Sequence, residues 1–178
     1  MKGGADREFE AYVAAHAVDL VRLARRLSVD SVAADDLVQT TLLRVWRSWP
    51  RVQSATDQQA YVRRVMVNAA TSGWRRRWRM ELPSDWLPER PSPDAQASVD
   101  HRDQLTRAMR QLPARQRAAV VLRYFVDLDD AAIAATLGCS VGTVRSQISR
   151  ALTRLRVATN AAGDENLPQP ATRTQEQR

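Results

Sequence analysis

The chain is poor in cysteine and in long apolar runs, and each scarcity narrows the class of protein. Its single cysteine, Cys139, cannot close an intramolecular disulfide, so a disulfide-stabilised secreted domain is excluded and a reducing cytoplasm is expected. No run approaches the roughly 20 apolar residues that a membrane-spanning helix needs. The first ten residues, MKGGADREFE, lack the apolar core of a signal peptide. We therefore expect a cytoplasmic protein with no membrane insertion.

Patterns that support catalysis or cofactor binding are scarce as well. The two histidines, His16 and His101, are far apart in the chain, with neither a cysteine partner nor paired carboxylates nearby. The six glycines form no phosphate-binding loop, and no spacing is typical of metal ligands. Cys139 has the pattern of a small buried residue in a turn. We expect no cofactor, no metal and no enzymatic activity.

Positive charge is what the chain has in excess. Its 178 residues include 27 lysines and arginines against 20 aspartates and glutamates, which gives a formal net charge of +7. A surplus of this size favours a polyanionic partner such as a nucleic acid.

Proline marks the organisation of the chain. Four of its eight prolines fall in LPSDWLPERPSP, residues 82–93, where the helical pattern of apolar residues stops. The sequence thus predicts an all-α protein of two small helical domains, 5–81 and 98–158, joined by a flexible proline-rich linker, 82–97. The polar segment 159–178 is predicted to be a disordered tail.

The first domain shows apolar residues at helical spacing, and no segment alternates with a period of two. Asp57 is a candidate N-cap for the third of its helices. The inward-facing residues are predicted to be Phe9, Val13, Leu20, Leu23 and Leu27 on the first helix; Leu37, Val38, Thr41, Leu42, Val45 and Trp46 on the second; and Tyr61, Val65, Met66 and Ala69 on the third.

The second domain ends in a pattern typical of a helix-turn-helix. Helices are predicted over 99–112 and 114–125, the latter with Val121, Leu122 and Phe125 in the core. A short helix then reaches Gly138, which can adopt the left-handed conformation of a helix C-cap. Ser140 can cap a longer helix that turns Val144, Ile148, Leu152 and Leu155 inward.

That longer helix carries the chemistry expected of a DNA recognition helix. No acidic residue occurs from Ala131 to Gly163, and arginine and glutamine are the side chains that read guanine and adenine edges in the major groove. The alternative is a solvated basic face on an ordinary helical hairpin. The candidate DNA-binding residues are Ser140, Thr143, Arg145, Ser146, Gln147 and Arg150.

The third helix of the first domain ends in SGWRRRWRM, residues 72–80. Six arginines and no acid occur between Gln58 and Met80, and Trp74 and Trp78 are four residues apart. Arginines follow a phosphate backbone, while aromatic rings stack on unpaired bases. Two alternatives stay open: a helix at a membrane interface, or tryptophans that belong to the core.

Several of these stretches resemble the extracytoplasmic-function (group IV) sigma factors, with most likeness to the actinobacterial SigE type. AADDLVQTTLLRVW (33–46) and QQAYVRRVMVNAATSGWRRRW (58–78) are similar to region 2 of the family. LPARQRAAVVLRYFVDL (112–128) and LGCSVGTVRSQISRALTRLR (137–156) are similar to region 4. The resemblance covers about residues 5–157.

The resemblance implies an initiation factor that binds core RNA polymerase and directs it to promoters. Region 2 would contact the β′ clamp helices and hold the melted minus-ten element, with a flipped base between the loop Arg51–Asp57 and the helix after it. Region 4 would read the minus-thirty-five element, and its other face would meet the β flap. An anti-sigma factor is a further expected partner. The implied polymerase contacts are Asp35, Asp36, Leu37, Gln39 and Trp46, and the implied minus-ten contacts are Arg63, Arg64, Asn68, Ser72, Trp74, Arg75, Arg76 and Trp78.

Four positions depart from the family pattern. Thr40 and Ala132 each stand where many members carry a glutamate, Ser72 replaces a common aspartate, and Gln147 replaces a common arginine. Promoter preferences are therefore expected to differ from those of other members. The competing interpretations are a helix-turn-helix regulator that never joins polymerase and a basic protein associated with RNA or with a membrane.

Overall fold

A computed structural model describes the backbone of residues 2–79 and 97–164, and the side chains of residues 4–72 and 103–160. Within those ranges the protein is helical and has no strand, which confirms the all-α prediction. The helices are α1 Lys2–Leu27, α2 Ser31–Arg47, α3 Trp49–Gln53, α4 Gln58–Arg79, α5 Ala97–Gln111, α6 Ala114–Tyr124, α7 Asp130–Leu137 and α8 Val141–Asp164.

Side-chain caps fix where the helices of the first half begin. The backbone N–H of Ala33 donates to Asp30 Oδ1 at 2.7 Å, which caps α2. The N–H of Ala60 donates to Asp57 Oδ1 at 2.8 Å, so Asp57 caps α4 as predicted. Because a helix start leaves four N–H groups without intrahelical partners, such acceptors stabilise it and set its first turn.

The short helix α3 corrects the prediction of a loop over Arg51–Asp57. Residues 51–53 are helical, since Pro50 occupies the first turn of α3, where its fixed φ and missing N–H cost nothing. The turn proper is therefore shorter and covers residues 54–57. The hydroxyl of Ser54 donates to the carbonyl of Arg51 at 3.1 Å, which ties this turn back onto α3.

Two aromatic residues predicted to face inward lie at the surface. Trp46 is 50% exposed on α2, and Phe125, which follows α6, is 40% exposed. Both stand at the edge of an apolar stripe, where periodicity gives the face of the helix but not how far the neighbouring helix covers it. The remaining residues of the predicted stripes are buried or half-buried.

The second half contains the predicted helix-turn-helix. Asp129 caps α7 by accepting from the N–H of Ala132 at 2.7 Å. The helix ends at Gly138, whose φ of 62° and ψ of 46° are left-handed, as the sequence predicts. Ser140 Oγ then accepts from the N–H of Thr143 at 3.1 Å and caps α8. Two caps and one left-handed residue thus set the angle between α7 and α8.

Helix α8 continues to Asp164, so the predicted tail boundary at residue 159 is too early. The run VATNAAGD keeps three alanines, which have the highest helix propensity, and it contains no proline. Residues 165–178 of the predicted tail lie outside the described residues. So does the predicted linker, except for Ala97, which begins α5.

One continuous core joins the two halves. Helices α1 and α4 of the first half contact α6 of the second, and α4 also contacts α7. Met66, Leu122 and Ile133 are among the fully buried side chains of this shared core. Burying a side chain of that size contributes about 1.5–3 kcal/mol. At the edge of the junction, the guanidinium of Arg26 lies 3.6 Å from the centroid of the Phe125 ring.

Candidate nucleic-acid interface

Helix α8 buries one face and presents the other to solvent. Val144 and Ala151 are fully buried, and Ile148 and Leu155 are less than a tenth exposed. Among the predicted DNA-binding residues, Ser140, Arg145 and Arg150 are exposed, whereas Thr143, Ser146 and Gln147 are half-buried. The hydroxyls of Ser140 and Thr143 are 2.9 Å apart and share a hydrogen bond beside the cap.

Arg145 makes an ion pair that connects α8 to the start of α7. Its Nε donates to Asp130 Oδ2 at 2.8 Å, while the side chain as a whole is 72% exposed. The other carboxylate oxygen of Asp130 pairs with Arg123 at the end of α6. Sequence reasoning missed Asp130 because it lies just before the acid-free segment and 15 residues from Arg145. Only the packing of α7 on α8 brings the two together.

A groove lies beside this ion pair, between the end of α6 and α8. Its volume is about 400 Å³, and its lining mixes basic and apolar side chains. The ring of Tyr124, which is 64% exposed, belongs to it. Such a surface suits a partner that is apolar and acidic in part. The lining comprises Arg123, Tyr124, Asp130, Arg145, Ile148, Ser149, Leu152, Thr153 and Arg156.

A polar row runs along α4. Arg64, Asn68 and Ser72 are all exposed, and because they are four residues apart they lie on one face of the helix. Arg63, the neighbour of Arg64, is half-buried, and its Nε is buried without a hydrogen-bond partner. The backbone of α4 continues as a helix to Arg79. The side chains of Trp74, Arg75, Arg76 and Trp78 lie outside the described residues, so their roles stay predictions.

Aromatic residues of α1 and α3 pack against one another in the first half of the chain. The rings of Phe9 and Tyr12 lie 5.3 and 5.5 Å from Trp49, both edge-on. Burial raises the pKa of the Tyr12 hydroxyl, and the negative charge of Asp57 adds to this effect while Arg63 opposes it.

A second surface, on α2, has a strip of exposed residues that sequence reasoning recognised only in part. Asp35, Asp36 and Gln39 are exposed, and Trp46 is half-exposed. Leu37 is only 7% exposed and packs in the core, and its contact with a partner stays a prediction. Two apolar residues that the sequence analysis did not single out extend the strip, namely Val32 at 69% and Leu43 at 49% exposure.

In the described part of the chain, no set of three or more histidine, cysteine, aspartate or glutamate side chains is placed to hold a metal ion. The described helices include none with the length and hydropathy to cross a bilayer.

Both halves of the chain match known protein families. Residues 12–80 match the model of sigma-70 region 2, and residues 102–155 match the model of sigma-70 region 4. The first match contains α2 and the polar row of α4, and the second contains the helix-turn-helix. The helical fold and both matches define a protein of the sigma-70 class.

Individual proteins of similar sequence or fold identify the group of sigma factors to which the chain belongs. The chain is 43% identical to the RNA polymerase sigma-E factor of Streptomyces coelicolor, over 84% of each protein. It is 39% identical to the ECF RNA polymerase sigma factor SigE of Mycolicibacterium smegmatis, over 83% of this chain and 60% of that one. The fold resembles the sigma factor RpoE of Bartonella quintana, solved with the anti-sigma factor NepR, with a TM-score of 0.67 and 24% identity over 86% of this chain and 98% of that chain. The chain belongs to the extracytoplasmic-function RNA polymerase sigma factors, and the relatives named above are sigma-E and SigE factors.

Proposed function

We propose a division of labour among three surfaces of this sigma factor. As a member of its family, the chain binds core RNA polymerase and directs promoter-specific transcription initiation. In our proposal α2 contacts the polymerase, α4 holds the melted minus-ten element and α8 reads the minus-thirty-five duplex. The observation that carries the proposal is the capped helix-turn-helix with a basic second helix, in a chain that matches both sigma-70 regions.

The exposed side of α8 suits the major groove of the minus-thirty-five element. Arg145 and Arg150 are exposed and can pair with phosphates or guanine edges, and Gln147 can bond adenine. Ser140 is the N-cap of α8, and Thr143 and Ser146 lie in its first two turns, where backbone N–H groups and the helix dipole favour a phosphate. Val144 and Ile148 are buried on the opposite face of α8, so the polar face of the helix points away from the core.

The polar row of α4 suits a single strand of the minus-ten element. Arg64 can follow the phosphate backbone, and Asn68 and Ser72 can bond an unpaired base next to the turn 54–57. Arg63 is placed to contribute its terminal nitrogens, and Trp74, Arg75, Arg76 and Trp78 would extend the surface with stacking and phosphate contacts.

The strip on α2 suits a helical partner. Val32, Asp36, Gln39, Leu43 and Trp46 follow one another at steps of four and three residues, which is the spacing of a face that packs against another helix. The apolar members supply burial, and the acidic members supply charge pairing. We assign this strip to the clamp helices of the β′ subunit, with Asp35 at its edge.

The remaining parts of the proposal concern boundaries, partners and location. The β flap is assigned to the face of the second half that lies opposite the DNA-reading side of α8. The two domains span 5–81 and 98–158, extended by the helix to Asp164. We extend to this chain an anti-sigma partner, as named for the solved sigma factor RpoE of Bartonella quintana. The protein acts in the cytoplasm as a binding factor, without enzymatic activity or a cofactor of its own.

Reconstitution with core polymerase tests the proposal. The purified chain and core enzyme are mixed with genomic DNA fragments, and transcript starts are mapped. Transcripts from a limited set of promoters are expected only when both are present. Binding to DNA fragments without any association with core enzyme would instead identify a helix-turn-helix regulator. Insertion of the segment 73–80 into anionic vesicles, reported by tryptophan fluorescence, would favour the membrane interpretation.

Two sets of variants test the individual surfaces. Trp46→Ala should weaken binding to core polymerase about tenfold or more, since buried interface tryptophans are frequent hot spots. Val18→Ala, on α1, changes an apolar residue that is 62% exposed and serves as the matched control.

Arg75→Ala and Arg76→Ala should weaken open-complex formation, and each should lower the slope of log affinity against log salt by about 0.7. Unchanged slopes in both would exclude backbone contacts there.

A further inference from the structure

The carboxylate of Asp130 is the meeting point of three helices. It is the first residue of α7, and it pairs with Arg123 at the end of α6 and with Arg145 on α8. Its own side chain is only 22% exposed, and that of Arg123 is 30% exposed. Two cations therefore hold one partly buried anion, and this anion has little freedom to turn toward another partner.

Arg145 contacts Asp130 in a way that leaves its reading end unused. The bond at 2.8 Å comes from Nε, the nitrogen nearest to the aliphatic stem. The guanidinium has five N–H donors, so the four on its terminal nitrogens stay outside this contact. Those terminal nitrogens form the fork that pairs with O6 and N7 of guanine.

Fixing an arginine through Nε changes what it can select. An arginine without a partner can swing to the nearest phosphate, which carries no sequence information. When its Nε is bonded to Asp130, the same side chain holds its two terminal nitrogens in one orientation relative to α8. Asp130 itself, as an anion next to DNA, would be repelled by phosphates, and its pairing with Arg123 offsets that repulsion.

We propose that Asp130 is a positioning residue for promoter selectivity, which orients Arg145 toward base edges of the minus-thirty-five element without touching DNA. This inference rests on the proposed role of α8 as the reader of that element. It assigns to the first helix of the helix-turn-helix a part in specificity that the basic composition of α8 does not reveal.

The experiment measures base preference rather than overall activity. A promoter transcribed by the wild-type chain with core polymerase is prepared as a library with a randomised minus-thirty-five element, and transcripts are sequenced. Arg145→Ala should flatten the preference at particular positions about fivefold or more, the lower end of what one bidentate arginine contact supplies. Asp130→Asn should flatten the same positions, and the double variant should match Arg145→Ala alone. Asp130→Glu, which keeps the charge, should restore part of the preference.

Asp129→Asn is the matched control. It removes the same charge one residue away, and asparagine is as good an N-cap as aspartate, so α7 keeps its start. We expect the control to keep the wild-type preference.

Three results would separate the possible failures. Asp130→Asn with wild-type preference, where Arg145→Ala loses it, would overturn the inference and leave the role of α8 intact. A uniform loss of transcription on all library members, with a lower melting temperature, would reduce Asp130 to a structural ion pair. A wild-type chain that directs no transcription with core enzyme would instead overturn the proposed function.

Discussion

The left-handed glycine between α7 and α8 yields the sharpest stability prediction. Gly138 has a φ of 62°, and a Cβ built there meets no atom within 4 Å, so the cost of Gly138→Ala is backbone strain rather than a clash. A non-glycine residue in this conformation costs roughly 1–2 kcal/mol. Alanine also lowers the conformational entropy of the unfolded chain, which stabilises the folded state by about 0.4–1 kcal/mol. The net expectation is a loss of about 1 kcal/mol, or about 2–4 °C in melting temperature for a chain of this size.

Gly142, four residues further on, is the matched control. It lies in the first turn of α8, and an added Cβ there would come no closer than 3.9 Å to Ser140 Oγ. Gly142→Ala should therefore stabilise the protein by about 0.5 kcal/mol, because alanine is the better helix former. Both variants are followed by far-UV circular dichroism during thermal and urea unfolding. If the two substitutions shift stability in the same direction, the left-handed turn is not where we place it.

Three further predictions test other contacts. Asp57→Ala should cost about 1 kcal/mol of stability, since Ala60 loses its cap, whereas Asp57→Asn should cost much less; equal losses would contradict capping. The pKa of the Tyr12 hydroxyl is raised in the folded protein. Its contribution to the free energy of unfolding is therefore complete below pH 10, and it is lost as pH rises through the pKa of the folded state. Tyr12→Phe should flatten the fall of stability above pH 10, and an unchanged pH profile would contradict this. A double-mutant cycle with Arg26→Ala and Phe125→Ala should give a coupling of about 0.5–1 kcal/mol, as for an exposed cation–π contact, and a coupling near zero would refute it.

Local signals in the sequence predicted the helix ends well. Asp57, Gly138 and Ser140 act on N–H groups or dihedral angles within three residues of themselves, so the chain order alone identifies them. The helix α3 was missed because five residues are too few for a periodic pattern. Its one signal was Pro50, which also fits a loop.

Features that depend on tertiary packing could not be predicted from the sequence. Trp46 and Phe125 were placed inside because an apolar stripe does not show how much of its edge a neighbour covers. The pairing of Asp130 with Arg145 needs the angle between α7 and α8. Arg117 was not predicted to be buried either. Yet it is 6% exposed and donates from Nη1 to the carbonyl of Arg110 at 2.9 Å, where it caps the end of α5, and burial lowers the pKa of its guanidinium.

The shared core sets a condition on the proposed use of α4 and α8 as two DNA-binding surfaces. The minus-ten and minus-thirty-five elements are about 25 base pairs apart, or about 85 Å of duplex at 3.4 Å per base pair. Helices that bury side chains against each other cannot be that far apart, so α4 and α8 cannot occupy both elements while α4 stays packed on α6 and α7. In the proposed function, the two halves therefore separate when both elements are bound. The coupling between Arg26 and Phe125 is then part of the free energy that promoter binding must offset, and the same double-mutant cycle should give no coupling in the promoter complex.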